Sequence, residues 1–425
     1  MTLETIFTID TSSIKYGIGA TREVGADLKA LGVTRVMLVT DPNLSGSDAV
    51  TTARKSVEAA GIDVAFFDRV RVEPTDSTFK EAIAFAVSEG VDGFLPVGGG
   101  SVIDTAKAAN LYSTYPDEFL AYVNAPIGQA KPVPGKLRPL VAIPTTAGTG
   151  SETTGTAIFD LVERHVKTGI ANRALRPNLG IIDPLNMVSM PALVTACSAL
   201  DVLSHAVESY TALPFTSREA AAEPKLRPAY QGSNPISDIW ALTATEMMAR
   251  NLTKTMENPN DLDARGEMAL AAAYAGIGFG NAGVHLPHGM SYPVAGMVRD
   301  FYPADYPSDH PMVPHGMSVI LNAPAVFRFT GFAAPERHLE AAKHLGADIS
   351  NAHPDDAGEI LAQTIIEMMK QTGMPSGLAA VGYTDADIPA LVEGTLPQHR
   401  VTKLSPRPAD RDALTALFKD AMRYW

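Results

Sequence analysis

Through the first 190 residues, short β-branched or aromatic runs alternate with longer amphipathic ones, and this alternation restricts the fold more than any other feature. Val36-Met37-Leu38-Val39-Thr40 has the length and branching of a strand, as do Val64-Ala65-Phe66-Phe67, Val91–Val97 and Leu140–Ile143. Between them residues 47–60 and 76–89 carry helical spacing, with Asp76 as a candidate cap, and Ser101 opens the helix VIDTAKAANLY. Strands separated by helices pair in parallel and are covered by helices on both faces. The expected class is therefore α/β with a Rossmann-like parallel sheet.

Near residue 190 the pattern changes. Residues 193–211, 237–257, 262–280, 335–346, 355–373, 385–394 and 410–423 have helical periodicity, and β-branched runs nearly vanish. Asp183-Pro184 and Met190-Pro191 break the chain at the change. The expectation is two domains: 1–190, Rossmann-like and dinucleotide-binding, and 191–425, all-helical. A length of 425 residues favours two domains by itself. Two long loops, 212–236 and 297–314, are candidates for functional segments.

Bulk properties narrow the partners. A net charge of −13 argues against nucleic acid or an anionic membrane as the main partner. No run is long and apolar enough to suggest a membrane span. Cys197 is the only cysteine, so no intrachain disulfide forms. No basic segment followed by an apolar run opens the sequence, and a cytoplasmic protein is the expectation.

Two stretches suit a nucleotide. Gly98-Gly99-Gly100-Ser101 follows a strand and opens a helix, where backbone without Cβ atoms and free N–H groups can approach a pyrophosphate. It is not a GxGxxG motif, and a plain turn is the competing reading. Asp104 is placed to cap that helix or touch a ribose. Asp41, at the end of the 36–40 strand, is placed to bind ribose hydroxyls and repel a 2′-phosphate, favouring NAD; a turn beside Pro42 is the alternative. The loop Pro144-Thr145-Thr146-Ala147-Gly148-Thr149-Gly150-Ser151-Glu152 offers hydroxyls and small residues at another strand end.

The metal signal lies in the second half. Residues 285–316 hold four of the ten histidines: His285, His288, His310 and His315. Asp201 and His205 stand four apart in a helical pattern with apolar flanks, so they share one face. His288 and His315 each sit in a Pro-His-Gly element; His285 and His310 are rival ligands. One carboxylate with imidazoles holds Fe²⁺, Zn²⁺ or their neighbours. Such an ion with an open position binds an alcohol oxygen and eases hydride release from the carbinol carbon.

Taken together, GGGSVIDTAK, PTTAGTGSE, Asp201-x-x-x-His205, HGMSYP and the later PHG resemble the iron-containing alcohol dehydrogenase family, in its order and over essentially the whole chain. The resemblance implies the fold shared with dehydroquinate synthase and a homodimer or larger homo-oligomer. It places the metal ligands on Asp201, His205, His288 and His315, with Fe²⁺ first and Zn²⁺ second. It places NAD contacts on Asp41, Gly99, Gly100, Ser101, Asp104, Thr145, Thr146 and Lys167. Many members carry a second His four residues after the first; Tyr292 stands there, and a proton relay would pass through its hydroxyl. Tyr292, the long insert before His315, RPAYQGSNPISD and GYTDADIPALVEGTLPQHRVTKLSPRP resemble the hydroxyacid–oxoacid transhydrogenase branch. That implies hydride exchange between a small hydroxy acid and an oxo acid, typified by 4-hydroxybutyrate and 2-oxoglutarate giving succinic semialdehyde and 2-hydroxyglutarate. Arg299, Arg227 and Lys107 are candidates for the carboxylate counter-charge. An ordinary NAD-dependent alcohol or 4-hydroxybutyrate dehydrogenase, a dehydroquinate synthase-like lyase and a non-catalytic NAD- or metal-binding protein are the competing readings.

Overall fold

The computed structural model describes residues 2–164, 166–307 and 309–425, and of residue 225 the backbone alone. It divides into two compact units. One comprises Asp10–Met190 with Pro259–Gly276; the other comprises the stretch up to Ile9, Pro191–Asn258 and Ile277–Trp425. Two segments thus lie on the other side of residue 190 from where the sequence pattern put them.

The first unit carries all the strands. In chain order it runs β1 (Ser13–Tyr16), α1 (Val24–Ala30), β2 (Arg35–Val39), α2 (Asp48–Ala59), β3 (Asp63–Phe67), α3 (Asp76–Glu89), β4 (Gly93–Gly98), α4 (Gly100–Thr114), β5 (Val141–Pro144), β6 (Thr156–Leu161), β7 (Val166–Ala171) and β8 (Leu179–Ile182). Six strands form a parallel sheet in the order β1-β8-β5-β4-β2-β3. The Rossmann-like expectation is met.

Both faces of the sheet are covered, as the strand composition requires. Along β2, Val36 and Leu38 join Val24, Leu28, Ala53 and Val57 of α1 and α2 in one core cluster. Met37 and Val39 point the other way and pack with Ala82, Val102, Ile103 and Ala106 of α3 and α4. A period of two with apolar residues at every position gives a strand buried on both sides.

The short runs of β1 and β8 and the hairpin β6–β7 were not legible. β1 and β8 have four residues each. β6 and β7 pair antiparallel, from Thr156 opposite Ala171 to Leu161 opposite Val166. The cap expected at Asp76 is also corrected. Thr75 accepts the hydrogen bond from Thr78 N–H at 3.3 Å. Asp76 is the first helical residue and pairs with Lys80 at 2.6 Å.

The second unit has no strand among its described residues. It contains α5 (Ala192–Thr211), α6 (Pro235–Glu257), the residues from Ile277 on of α7 (Leu262–Ala282), α8 (Leu286–Gly296) and α9 (His315–Ile320). Helices Ala323–Gly331, Pro335–His344, Ala357–Gln371, Ile388–Thr395, His399–Thr402 and Arg411–Asp420 follow. Asn234 caps α6 by accepting from Ser237 N–H at 3.0 Å, and Pro235 occupies the first turn, where no N–H is needed. Among the described residues no helix is long and apolar enough to cross a membrane.

In the first unit, Gly150 has φ +58°, and a Cβ there would stand 2.7 Å from the Gly276 Cα. Gly61 has φ +76° and open space around it. Gly150→Ala should therefore cost about 2–4 kcal/mol in denaturant titration, from backbone strain plus overpacking. Gly61→Ala should cost only the strain, about 1–2 kcal/mol. Equal losses would mean that the close approach at Gly150 contributes nothing.

Candidate functional site

Helix α5 supplies the centre of the candidate site. Asp201, His205 and Glu208 stand at i, i+4 and i+7, so one face presents all three. His288 lies in the first turn of α8, and His315 opens α9. Ligand atoms of Asp201, His205, His288 and His315 all come within 4.8 Å of one another. Asp201 is central: its carboxylate is 3.7 Å from His205 Nδ1, 3.9 Å from His288 Nε2 and 3.7 Å from His315 Nε2. Ligands about 2.1 Å from one ion stand about 3.4 Å apart in a tetrahedron, so the spacing fits a small divalent cation.

Glycine explains how α9 gets so close. A Cβ at Gly316 would lie 2.0 Å from the Cys197 carbonyl oxygen and 3.0 Å from the Asp201 Cβ. Only a residue without a side chain lets the His315 backbone rest on α5. Gly289 does the same service beside His288, where a Cβ would meet Thr402 Cγ2 at 2.8 Å. In both Pro-His-Gly elements the glycine sets the approach and the histidine uses it.

Glu208 orients His288. Its Oε1 is 2.6 Å from His288 Nδ1, and its Oε2 accepts from the His285 backbone N–H at 2.7 Å. With Nδ1 donating to the carboxylate, Nε2 presents its lone pair. His288 Nε2 is buried and makes no hydrogen bond among the described residues. Burial first, then the Arg400 guanidinium, push His288 down to about 3, which keeps it neutral. Burial pushes the Glu208 carboxyl up to about 7, against the His285 charge and the backbone donors that pull it back. A buried nitrogen lone pair facing a carboxylate is the donor set a cation needs, so these residues fit a divalent metal.

Of the rival histidines, His285 is buried at the start of α8 and bonds Thr211 through Nε2 at 3.0 Å. His310 lies apart, against Asp309 at 2.9 Å. His205 stacks on Phe279, ring centroids 3.9 Å apart and 7° from parallel. His315 is the most open of the four, with about a quarter of its side chain exposed. Tyr292, one turn beyond His288, accepts a hydrogen bond from Arg400 Nη2 at 2.9 Å.

In the first unit the nucleotide candidates gather at the carboxyl ends of β2, β4 and β5. The strand order reverses between β2 and β4, which is where ligands settle on such sheets. Asp41 follows β2; Gly99 and Gly100 follow β4; Thr145 and Thr146 follow β5. Asp41 Oδ1 accepts from Asn43 N–H at 2.8 Å and Leu44 N–H at 3.2 Å, the turn that was its alternative reading. A Cβ at Gly100 would meet Thr149 Cγ2 at 2.6 Å, and one at Gly99 would meet Thr146 Cγ2 at 3.2 Å. Those glycines therefore serve the packing of two loops as well as any ligand. Ser101 Oγ accepts from Glu73 N–H at 3.1 Å.

Two expected cofactor contacts are engaged inside the fold. Asp104 does not cap α4: Oδ1 accepts from Ser151 at 2.6 Å and Oδ2 from Ile158 N–H at 2.9 Å. Lys167 is buried between Glu73 at 2.7 Å and Asp160 at 3.0 Å. Burial opposes its charge, and the two carboxylates win and raise its pKa.

The three expected counter-charges are committed elsewhere. Arg299 is exposed and grips both oxygens of Asp387, at 2.8 and 2.9 Å. Arg227 pairs with Glu4 at 3.3 Å. Lys107 is fully buried against Ser151 at 2.6 Å and Thr156 O at 2.8 Å, and burial pushes its ammonium down to about 8. Glu208 and Phe279, which touch the candidate ligands, and Tyr230 and Arg400 beside them were not singled out from the sequence. Glu208 alone had a readable signal, its i+7 place on the Asp201–His205 face.

The model described as iron-containing alcohol dehydrogenase matches residues 11–184, and that of the family's C-terminal part matches residues 229–422. A Bos taurus protein named "Hydroxyacid-oxoacid transhydrogenase, mitochondrial" is 56% identical over 100% of this chain and 91% of its own. The Homo sapiens protein of that name is 55% identical over 100% and 91%. A Dictyostelium discoideum protein with the same name, marked probable, is 50% identical over 98% and 79%. A crystal structure of 1,3-propanediol oxidoreductase is 29% identical, with TM-score 0.85 over 98% of this chain and 100% of that one. An alcohol dehydrogenase from Oenococcus oeni is 25% identical, with TM-score 0.85 over 98% and 100%. The cytoplasmic expectation is overturned: the relatives matched over the whole chain are named as mitochondrial. That expectation rested on how the sequence begins, which carries no weight here.

Glu208→Gln should keep the shape of the site but lose the carboxylate that orients His288. Metal affinity, measured by competition with a chelator, should fall about 10–100-fold. Unchanged affinity would show that Glu208 has no hold on the ligand.

Proposed function

Because the chain belongs to the iron-containing alcohol dehydrogenase family, we infer that it is an oxidoreductase of the hydroxyacid–oxoacid transhydrogenase kind. The reaction proposed oxidises a small hydroxy acid such as 4-hydroxybutyrate to its semialdehyde and reduces an oxo acid such as 2-oxoglutarate to the hydroxy acid. Hydride and a proton leave the first and are restored to the second, so no external oxidant is consumed. The observation that carries this reading is identity of 50–56% along nearly the whole chain to proteins bearing that name.

Asp201, His205, His288 and His315 are the proposed metal ligands. An Fe²⁺ or Zn²⁺ ion held there supplies a Lewis acid for the alcohol or carbonyl oxygen. Glu208 holds His288 in the tautomer that leaves Nε2 available, and Phe279 fixes the plane of His205. Tyr292, with its hydroxyl beside Arg400, is the proposed proton-bearing group. Asp41, Gly99, Gly100, Ser101, Thr145 and Thr146 are the proposed contacts of NAD, which carries the hydride. Asp104 and Lys167, expected among those contacts, would act by holding the loops around them.

The test is incubation of purified, metal-loaded protein with 4-hydroxybutyrate and 2-oxoglutarate and no added nucleotide. Succinic semialdehyde and 2-hydroxyglutarate should appear in equal amounts, and His288→Ala should abolish both. Product formation only with added NAD, accompanied by accumulating NADH, would replace the proposal with an ordinary dehydrogenase.

A further inference from the structure

We propose that Arg400, framed by Tyr230 and Tyr292, is the seat of the substrate carboxylate. This rests on the hydroxy-acid reading and names the residue that gives it specificity. A carboxylate-bearing substrate needs a cation that the fold has not already neutralised, and the three cations favoured from sequence are all committed.

Arg400 is different. Its Nη2 donates to Tyr292 Oη at 2.9 Å, and its Cζ lies 4.7 Å from the centre of the Tyr230 ring. Its Nη1 is shut off from solvent and makes no hydrogen bond among the described residues. No carboxylate among the described residues forms an ion pair with it. Elsewhere in the same unit, Arg218 and Arg227 share Glu4, and Arg337 has Asp238 at 2.7 Å. Arg400 is half-buried, but a guanidinium nitrogen such as its Nη1, withdrawn from water without a counter-ion, is costly, and an anionic ligand removes that cost. The planar fork offers two parallel N–H bonds to a carboxylate.

Two lines place this group beside the candidate metal site. Tyr292 is one helical turn from His288 in α8, and Gly289 lies against Thr402, two residues past Arg400. Tyr230 meets Phe279 edge-on at 6.4 Å, and Phe279 stacks on His205. The Arg400 charge is felt at His288, consistent with that placement. Tyr230, Tyr292 and Arg400 come from three stretches far apart in sequence, and here they meet at one point.

The test compares wild type with Arg400→Leu and Arg400→Lys, all metal-loaded. Butyrate, a carboxylate lacking the carbinol, is the binding probe by calorimetry; 4-hydroxybutyrate and butan-1-ol are the turnover probes. Arg400→Leu should lose butyrate binding and about 100-fold or more in kcat/KM for 4-hydroxybutyrate, mostly through KM. Metal content should stay within about threefold, and butan-1-ol turnover, which feels Arg400 only through Tyr292, should fall at least about tenfold less than 4-hydroxybutyrate turnover. Arg400→Lys, which keeps charge and stem, should retain butyrate binding, but weaker. Butyrate bound equally by wild type and Arg400→Leu would overturn the proposal. So would acid turnover, alcohol turnover and metal content falling together in both variants, the signature of a purely structural clamp. Wild type that turns over butan-1-ol but no hydroxy acid would overturn the functional reading itself.

Discussion

A carboxylate and three imidazoles converge on one small buried volume, and most of the helical unit is arranged to permit it. Asp201 and His205 come as a pair from one helix face; the other two ligands must be carried in by separate helices. Burying such groups costs free energy that a shared cation offsets. The cost explains the surroundings: Glu208 holds one ring nitrogen, Phe279 holds one ring plane, and Gly316 removes the side chain that would keep α9 away. Each of these contacts holds one of the four groups in its converging position.

The convergence of these side chains was partly legible because part of it follows helical arithmetic. Asp201-x-x-x-His205 is a helix face by spacing alone, and the Pro-His-Gly repeats stood out by their likeness to each other. What spacing cannot supply is which histidine faces inward once the chain turns. His285 begins α8 and faces Thr211, three positions from a residue that faces Asp201. Arg400 was invisible for the same reason. It lies more than a hundred residues from Tyr292 and has no motif of its own; only tertiary packing reveals a guanidinium without an acid.

The parallel sheet was readable from β2, β3, β4 and β5, whose apolar runs are continuous and branched. β1 and β8 are too short to rise above the background, and β6 and β7 alternate with hairpin character inside an otherwise parallel pattern. The glycine-rich turn shows a different limit. Gly99 and Gly100 were explained by a ligand's need for close approach, yet Thr146 and Thr149 already occupy the space their Cβ atoms would fill. A glycine can be required by its own fold before any ligand arrives. The same holds for Asp104 and Lys167, charged residues near a nucleotide-type loop whose partners are internal.

The seating of α9 on α5 has a chemical side effect. The carbonyl that Gly316 covers belongs to Cys197, the only thiol in the chain, which is buried with its acidity suppressed to about 12 by desolvation. A thiol so buried reacts with an alkylating agent only when the packing around it opens, and Tyr306 and, in α9, Met317 both belong to that packing. Its rate of modification is therefore a clock for the opening of the packing in which α9 takes part. An ion bound only by the closed arrangement would slow that clock in proportion to its occupancy. The molecule thus has a single thiol, inert while buried, whose exposure reports from inside on the packing beside its Asp–His cluster.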